Sequence, residues 1–431
     1  MTALIAAWRD YREAARAFSR PARLYLIAEL LAWTGHGVFQ VVFNLYLVEG
    51  GFAESFVGRA VSLNALGLAL AAWPAGRLAE RWGRLRCLRF GALLEGVALL
   101  VRCTVMLPGV IYGASLLAGV GQALLAIAAA PFLTEHSTPR ERTHLFSAFF
   151  ATALIAGVAG SILGGLLPTA VRRLPASFGP DLLTAYRIAL VAGAVLALSA
   201  AVPLLRLRGL VEAVHNKSGG TKAHQALRQL APITLNAFLI GSGAGLVIPF
   251  MNLYFARRFG CSSGQIGLFF SLAQTLTAAA ALVGPFLAGR FGKLRTATAL
   301  ELLSLPFLVT LGAERHLGVA VIAFLLRATL MQASSPLVQA FIMEALPPEL
   351  RARASSLINL SWNVGWATSA AAAGLIIQHL GYDVPFYITA VLYATAAVSF
   401  YASFRQRPDR VAGVRVSEEA KGQRGEGPFT E

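Results

Sequence analysis

The sequence predicts an all-α integral membrane protein: twelve transmembrane helices built as two related six-helix bundles. Three observations carry that expectation. Charged residues make up only 13% of the 431 residues, against a hydrophobic share of 56%, where a soluble domain holds roughly a quarter charged residues. Apolar stretches long enough to cross a bilayer, which takes about 20 residues as helix, recur along the chain. Short patterns also reappear at a nearly constant offset of 209 residues.

The stretches fall at 24–47, 56–75, 88–107, 109–133, 144–168 and 183–205, then at 230–255, 264–288, 296–312, 317–341, 354–378 and 385–404. The ninth is the shortest. Between the sixth and seventh, Arg206 to Arg228 is polar and holds a Ser-Gly-Gly-Thr run, a flexible linker by composition. The expected organisation is an N-terminal bundle over 1–205, a cytoplasmic linker over 206–229, a C-terminal bundle over 230–404 and a tail over 405–431. That tail is charged and Gly-rich, a composition that favours disorder. Ahead of the first span, Ala3, Ala7, Ala14 and Phe18 among arginines suggest a short interfacial helix. The segment lacks the long apolar core and cleavage site of a signal peptide.

Orientation follows from where the cations lie, because cytoplasmic loops carry the excess of Lys and Arg. Most of the 37 Lys and Arg fall on one side: Arg9 to Arg23, Arg77 to Arg89, Arg140 and Arg142, the linker, Arg290 to Arg295, Arg351 and Arg353, and the tail. Both termini are therefore expected in the cytoplasm, in the cell (inner) membrane. The net charge of +16 reads as topology. Nucleic-acid binding is not expected, since no basic run is interleaved with exposed aromatics. Cys87, Cys103 and Cys261 fit neither a disulfide framework nor a metal site.

The repeat is legible within the chain itself. Leu78 to Arg86 matches Leu287 to Arg295, and Glu135 with Arg142 matches Glu344 with Arg351, both at an offset of 209. Val57-Gly58 with Ser62-Leu63 matches Ile266-Gly267 with Ser271-Leu272 at the same offset, and Asn44-Leu45-Tyr46 matches Asn252-Leu253-Tyr254 at 208. Six spans separate equivalent positions, so the repeats are parallel. Two such bundles pack about an axis along the membrane normal and leave a cavity near the midplane.

Gly76-Arg77-Leu78-Ala79-Glu80-Arg81-Trp82-Gly83-Arg84-Leu85-Arg86 resembles the signature loop between the second and third helices of the major facilitator superfamily, and the resemblance extends over nearly all of the chain. It implies the fold of that superfamily and transport by alternating access, with no cofactor. Glu80 stands where the superfamily usually has Asp, and the second half has Gly289 at the equivalent position. By resemblance, Gly76, Glu80, Arg81, Gly83 and Arg84 would help to lock the inner gate, with Arg290 and Gly292 as their counterparts. Gly160-Ser161-Ile162-Leu163-Gly164-Gly165 is similar to the fifth-helix motif of proton-coupled drug antiporters, with Ser161 in place of Pro. Small residues there equally serve close helix packing. The arginine that those antiporters carry in the fourth helix is absent here.

Polar side chains within spans are costly and usually face a wet cavity or the protein interior. Glu29, Trp33, His36, Gln40 and Asn44 recur every three or four residues and share one face of the first span. Gln40 and Asn44 equally suit hydrogen bonds to a neighbouring helix, while Glu29 and His36 are candidates for proton coupling. Arg327, in the tenth span, needs a carboxylate, an anion or water; Glu29 and Glu95 are its candidate partners, and Glu95 also has Arg102 two turns away. Gln122, Gln274, Gln332, Asn363 and Trp366 could complete the cavity. Glu135 and Arg142, with Glu344 and Arg351, are expected to form short-range salt bridges at the closing rim.

The leading expectation is an exporter of small amphipathic molecules driven by a gradient, that of protons, working as a monomer in the lipid bilayer. A uniporter or symporter of sugars or other polar or anionic metabolites is the alternative. No phosphate loop is present to use ATP. An enzyme is disfavoured, because no paired Asp, metal-ligand cluster or nucleophile with a nearby base occurs. A transporter-like receptor would be expected to carry a soluble output domain, for which the tail after Phe404 is short and polar.

Overall fold

The computed structural model describes residues 18–173, 181–207 and 223–405. The expected interfacial helix, most of the linker and the tail lie outside the described residues. The helices are α1 (Arg20–Glu49), α2 (Glu54–Trp82), α3 (Arg84–Thr104), α4 (Pro108–Glu135), α5 (Pro139–Arg172), α6 (Leu182–Ser199) and α7 (Ala201–Leu205). The second half runs α8 (Ala223–Val247), a 3₁₀ turn (Ile248–Phe250), α9 (Met251–Phe259), α10 (Ser263–Phe291), α11 (Lys293–Ala313), α12 (Leu317–Ala345), α13 (Pro348–Leu380) and α14 (Asp383–Phe404). Each of the twelve apolar stretches coincides with helix. Among the described residues, nine helices are long and apolar enough to cross a membrane.

Local chemistry sets the helix ends. Pro108 and Pro139 occupy the first turns of α4 and α5, where a missing N–H costs nothing. Capping boxes start α5 (Thr138 with Glu141) and α10 (Ser262 with Gln265). Gly83 and Gly292 separate α2 from α3 and α10 from α11 at φ of 92° and 84°, backbone that a side chain rarely tolerates. The signature glycines therefore have a conformational cause. The seventh span departs from the expected single helix over 230–255: it breaks at Ile248–Phe250 and continues to Phe259. Pro249 lacks the N–H that the helical ladder needs there. The sixth span divides at Ala200.

The two halves repeat one packing plan. In the first, α1 packs on α5 and α6, α2 on α4, and α3 on α4 and α6; in the second, α8 packs on α13 and α14, α10 on α12, and α11 on α12 and α14. Across the halves, α2 meets α13 and α5 meets α10. These crossings depend on absent side chains. A Cβ on Gly267 would sit 2.4 Å from the Ser161 carbonyl oxygen, and one on Gly374 would sit 2.5 Å from that of Glu54. Backbone-close approach through small residues is how membrane helices gain packing energy when lipid is as apolar as the helices themselves.

The apolar packing is unequal at the two ends of the bundle. One continuous cluster includes Phe43, Tyr46, Leu99 and Ile111 of the first half together with Phe250, Tyr254, Phe255 and Phe386 of the second. At the end that carries Gly83 and Gly292, here the signature end, the clusters separate. Leu85, Phe132, Leu133 and Leu204 belong to a first-half cluster, whereas Leu294, Phe341, Leu346 and Phe404 form a second-half one. The end opposite the signature is thus sealed by both halves, and the signature end is split between them.

Candidate functional site

A cavity of about 400 Å³ lies between the halves on the unsealed side. From the first half it is lined by Trp33 and Gln40 of α1 and Leu154 of α5. The second half supplies more of the wall: Asn236 and Ile240 of α8, Phe270 and Gln274 of α10, Glu301 of α11, Phe324, Arg327 and Gln332 of α12, Trp362 of α13 and Tyr393 of α14. Apolar and aromatic walls with a few polar groups are the usual make-up of a small-molecule site.

Two buried charges face this space from neighbouring helices. Arg327 is 4% exposed; its Nη2 donates to Tyr393 Oη at 3.1 Å, while its Nε finds no hydrogen-bond partner. Glu301 is also 4% exposed and accepts from Ser334 Oγ at 3.3 Å. The carboxylates expected to hold Arg327 are engaged elsewhere. Glu29 accepts from Trp33 Nε1 at 2.7 Å and Tyr25 Oη at 3.1 Å, one helical turn to either side of it. Glu95 accepts from Gln122 Nε2 at 3.1 Å, and the same amide lies 3.3 Å from His36 Nδ1. Arg102, rather than pairing directly with Glu95, lies 3.9 Å from the centroid of the Phe43 ring.

The polar face of α1 is therefore shared among three environments. Trp33 and Gln40 reach the cavity, while the half-buried His36 turns to Gln122 and the buried Glu95 within the first half. Asn44 crosses to the second half: its Nδ2 donates to the Pro249 carbonyl at 2.5 Å and lies 3.4 Å from Asn252 Oδ1. Asn252 Nδ2 donates back to the carbonyls of Val41 at 2.9 Å and Gln40 at 3.3 Å. Gln274 lines the cavity and donates to Ser161 Oγ of α5 at 3.0 Å. In the same motif, Gly160 and Gly164 pack against α1 and Gly165 against α10, so its small residues serve helix contact. Gln332 lines the cavity; Asn363 instead donates to the Asn359 carbonyl of its own helix at 2.8 Å. Trp366 lies tilted beside Trp362, which is the tryptophan at the cavity wall.

At the signature end, charge pairs form within each half. Arg84 pairs with Glu135 and Lys293 with Glu344, the same two positions in each repeat. The expected partners Arg142 and Arg351 instead donate to nearby backbone, to the carbonyls of Thr134 and Ser137 and of Leu346. They cap the loop after α4 and its counterpart after α12, within a few residues of their own position. Glu80, Arg81 and Arg290 are exposed, and Gly76 has open space where a Cβ would be.

Sequence reasoning missed Glu301, Tyr393, Asn236, Ser334 and Trp362. Glu301 had a visible signal, an acid within the ninth apolar span. Tyrosine, serine and tryptophan are common in spans, and nothing in their spacing marks the ones that face the cavity.

The family profile of the Major Facilitator Superfamily matches this chain twice, over residues 25–234 and 233–429. A search of curated proteins returns no match. Solved structures with the same fold include a bacterial homologue of the human lysosomal transporter Spinster in an inward-facing, occupied conformation (TM-score 0.74, 14% identity, covering 89% of this chain and 96% of that one). Others are the nucleoside transporter NupG (0.72, 14%, 90% and 100%) and a D-xylose–proton symporter (0.65, 14%, 91% and 97%). These identities speak for the fold alone. With the profile covering both repeats, the chain belongs to the Major Facilitator Superfamily and is a multi-pass membrane secondary transporter, not an enzyme.

Proposed function

We propose that this transporter exports small amphipathic molecules by alternating access, driven by a proton gradient across the cell membrane. One observation carries the reading: the halves share a single apolar seal at one end and separate at the other, with a cavity between. Such a seal has two discrete arrangements, because packed interfaces are bistable rather than continuously deformable. The positive-inside rule assigns the split signature end, with both termini, to the cytoplasm. Likeness to the inward-facing Spinster homologue supports that assignment. In this reading residues 1–205 and 230–404 rock as two bodies about the linker 206–229, within a monomer.

Glu29 and His36 on α1, with Glu95 beside them, are the proton-handling groups of this scheme; the cavity of Trp33, Gln40, Gln274, Arg327 and Gln332 takes the solute. The apolar share of the wall supports an amphipathic cargo. A second reading is symport of a polar metabolite, supported by Arg327 and the amides of Asn236, Gln274 and Gln332 at the wall, and by similarity to the D-xylose–proton symporter.

Proteoliposomes loaded with a panel of amphipaths and sugars, with and without an imposed pH gradient, separate the two. Export expects amphipath movement against its gradient when the opposite side is acidified. Sugar uptake coupled to inward proton flow would replace the export reading. Glu29→Gln is expected to abolish the pH-driven component while leaving exchange at equal pH; unchanged coupled transport would remove Glu29 from the scheme.

A further inference from the structure

Among the described residues lining the cavity, Glu301 is the one carboxylic acid and Arg327 the one base. They come from α11 and α12, adjacent helices of the second half. Each is almost wholly removed from solvent, yet no ion pair joins them among the described residues. Arg327 spends one donor on Tyr393 and leaves its Nε unsatisfied; Glu301 has the single hydroxyl of Ser334. Charge on either group is costly in a low-dielectric wall while the two are held apart. That cost falls when an occupant satisfies both at once.

We propose that the cavity recognises an amphipathic zwitterion, its anionic group on the guanidinium of Arg327 and its ammonium on the carboxylate of Glu301. This deepens the transport reading and rests on it. Phe270, Phe324, Met331 and Trp362 provide apolar wall for the body of the solute. An anion alone leaves Glu301 with the Ser334 hydroxyl as its one described partner, and a cation alone leaves Arg327 with Tyr393. A zwitterion is therefore favoured over either half of itself by differential binding, the general basis of specificity.

Calorimetric titration of the full chain in detergent tests the proposal with four probes. Two are zwitterions, homophenylalanine and β-phenyl-γ-aminobutyrate, which differ in the spacing of their charges. Phenylbutyrate carries the anion alone and phenylpropylamine the cation alone. At least one zwitterion is expected to bind tenfold or more tighter than both single-charge probes. Glu301→Gln is expected to reduce its affinity to that of phenylbutyrate, and Arg327→Gln to that of phenylpropylamine. Equal affinities for all four probes, preference for a single-charge probe, or no binding by any overturns the proposal. The wild-type comparison decides it even where a variant fails to fold. Because titration reads binding without a gradient, a zwitterion that binds but is not moved by an imposed pH gradient would refute the coupling scheme and leave this site intact.

Discussion

Asn44 and Asn252 hold the two halves together at the sealed end through reciprocal hydrogen bonds: each amide donates to backbone carbonyls of the opposite half. They occupy equivalent places in the repeat, 208 residues apart. The break at Pro249 supplies a carbonyl to Asn44, and the start of α9 places Asn252 against α1. A seal that must open once per cycle is well served by a few amide bonds, worth on average about 0.6 kcal/mol between membrane helices.

Replacing Asn252 by Ala removes both donations to α1 and is expected to weaken the seal by on the order of 1–2 kcal/mol, roughly 5–30-fold in the open population. Cys103 and Cys261 are buried members of the cluster at this end and report the change with native thiols. In a Cys87→Ser background, their labelling by an impermeant maleimide is expected to speed up several-fold in Asn252→Ala. Unchanged labelling would mean that apolar packing alone keeps this end shut.

Gly267→Ala should destabilise the protein by about 1–3 kcal/mol, because overpacking at a close backbone crossing has no flexible atom to displace. Gly289→Ala, on the same helix with nothing within 4 Å of the added carbon, is the control and is expected to be neutral or slightly stabilising. Thermal unfolding in detergent compares the two. Equal melting temperatures would contradict a tight α5–α10 crossing.

Gly83→Ala and Gly292→Ala are each expected to lose about 1–3 kcal/mol, since both positions require positive φ between consecutive helices. The double variant should be close to additive, as the sites lie in different halves. Wild-type melting behaviour in either single variant would return the signature glycines to a purely gating role.

Tyr393→Phe removes the one hydrogen-bond acceptor described for the Arg327 guanidinium. A buried donor left unpaired costs about 1–3 kcal/mol, so the melting temperature should fall and solute affinity should change with it. A variant that melts normally with unaltered binding would show that Arg327 does not depend on this hydroxyl.

Much of the architecture was legible without coordinates. Twelve apolar stretches located the helices, because each backbone polar group in lipid must be satisfied within its own segment. The recurring offset anticipated the equivalence of Asn44 with Asn252 and of Glu135 with Glu344, since duplicated helices keep their packing partners. The loop pattern around Gly83 indicated the superfamily. What remained for the tertiary structure was which polar side chains meet. Periodicity placed Glu29, His36 and Asn44 on one face of α1, but the three find different partners: Glu29 within its own helix, His36 at Gln122 and Glu95 of the first half, and Asn44 at Pro249 of the second. The pairing of Arg84 with Glu135, the isolation of Arg327 from Glu29 and Glu95, and the placement of Glu301 at the cavity wall all depend on helix rotation and crossing. Those are set by side-chain and glycine packing between segments distant in sequence, which a one-dimensional pattern does not encode.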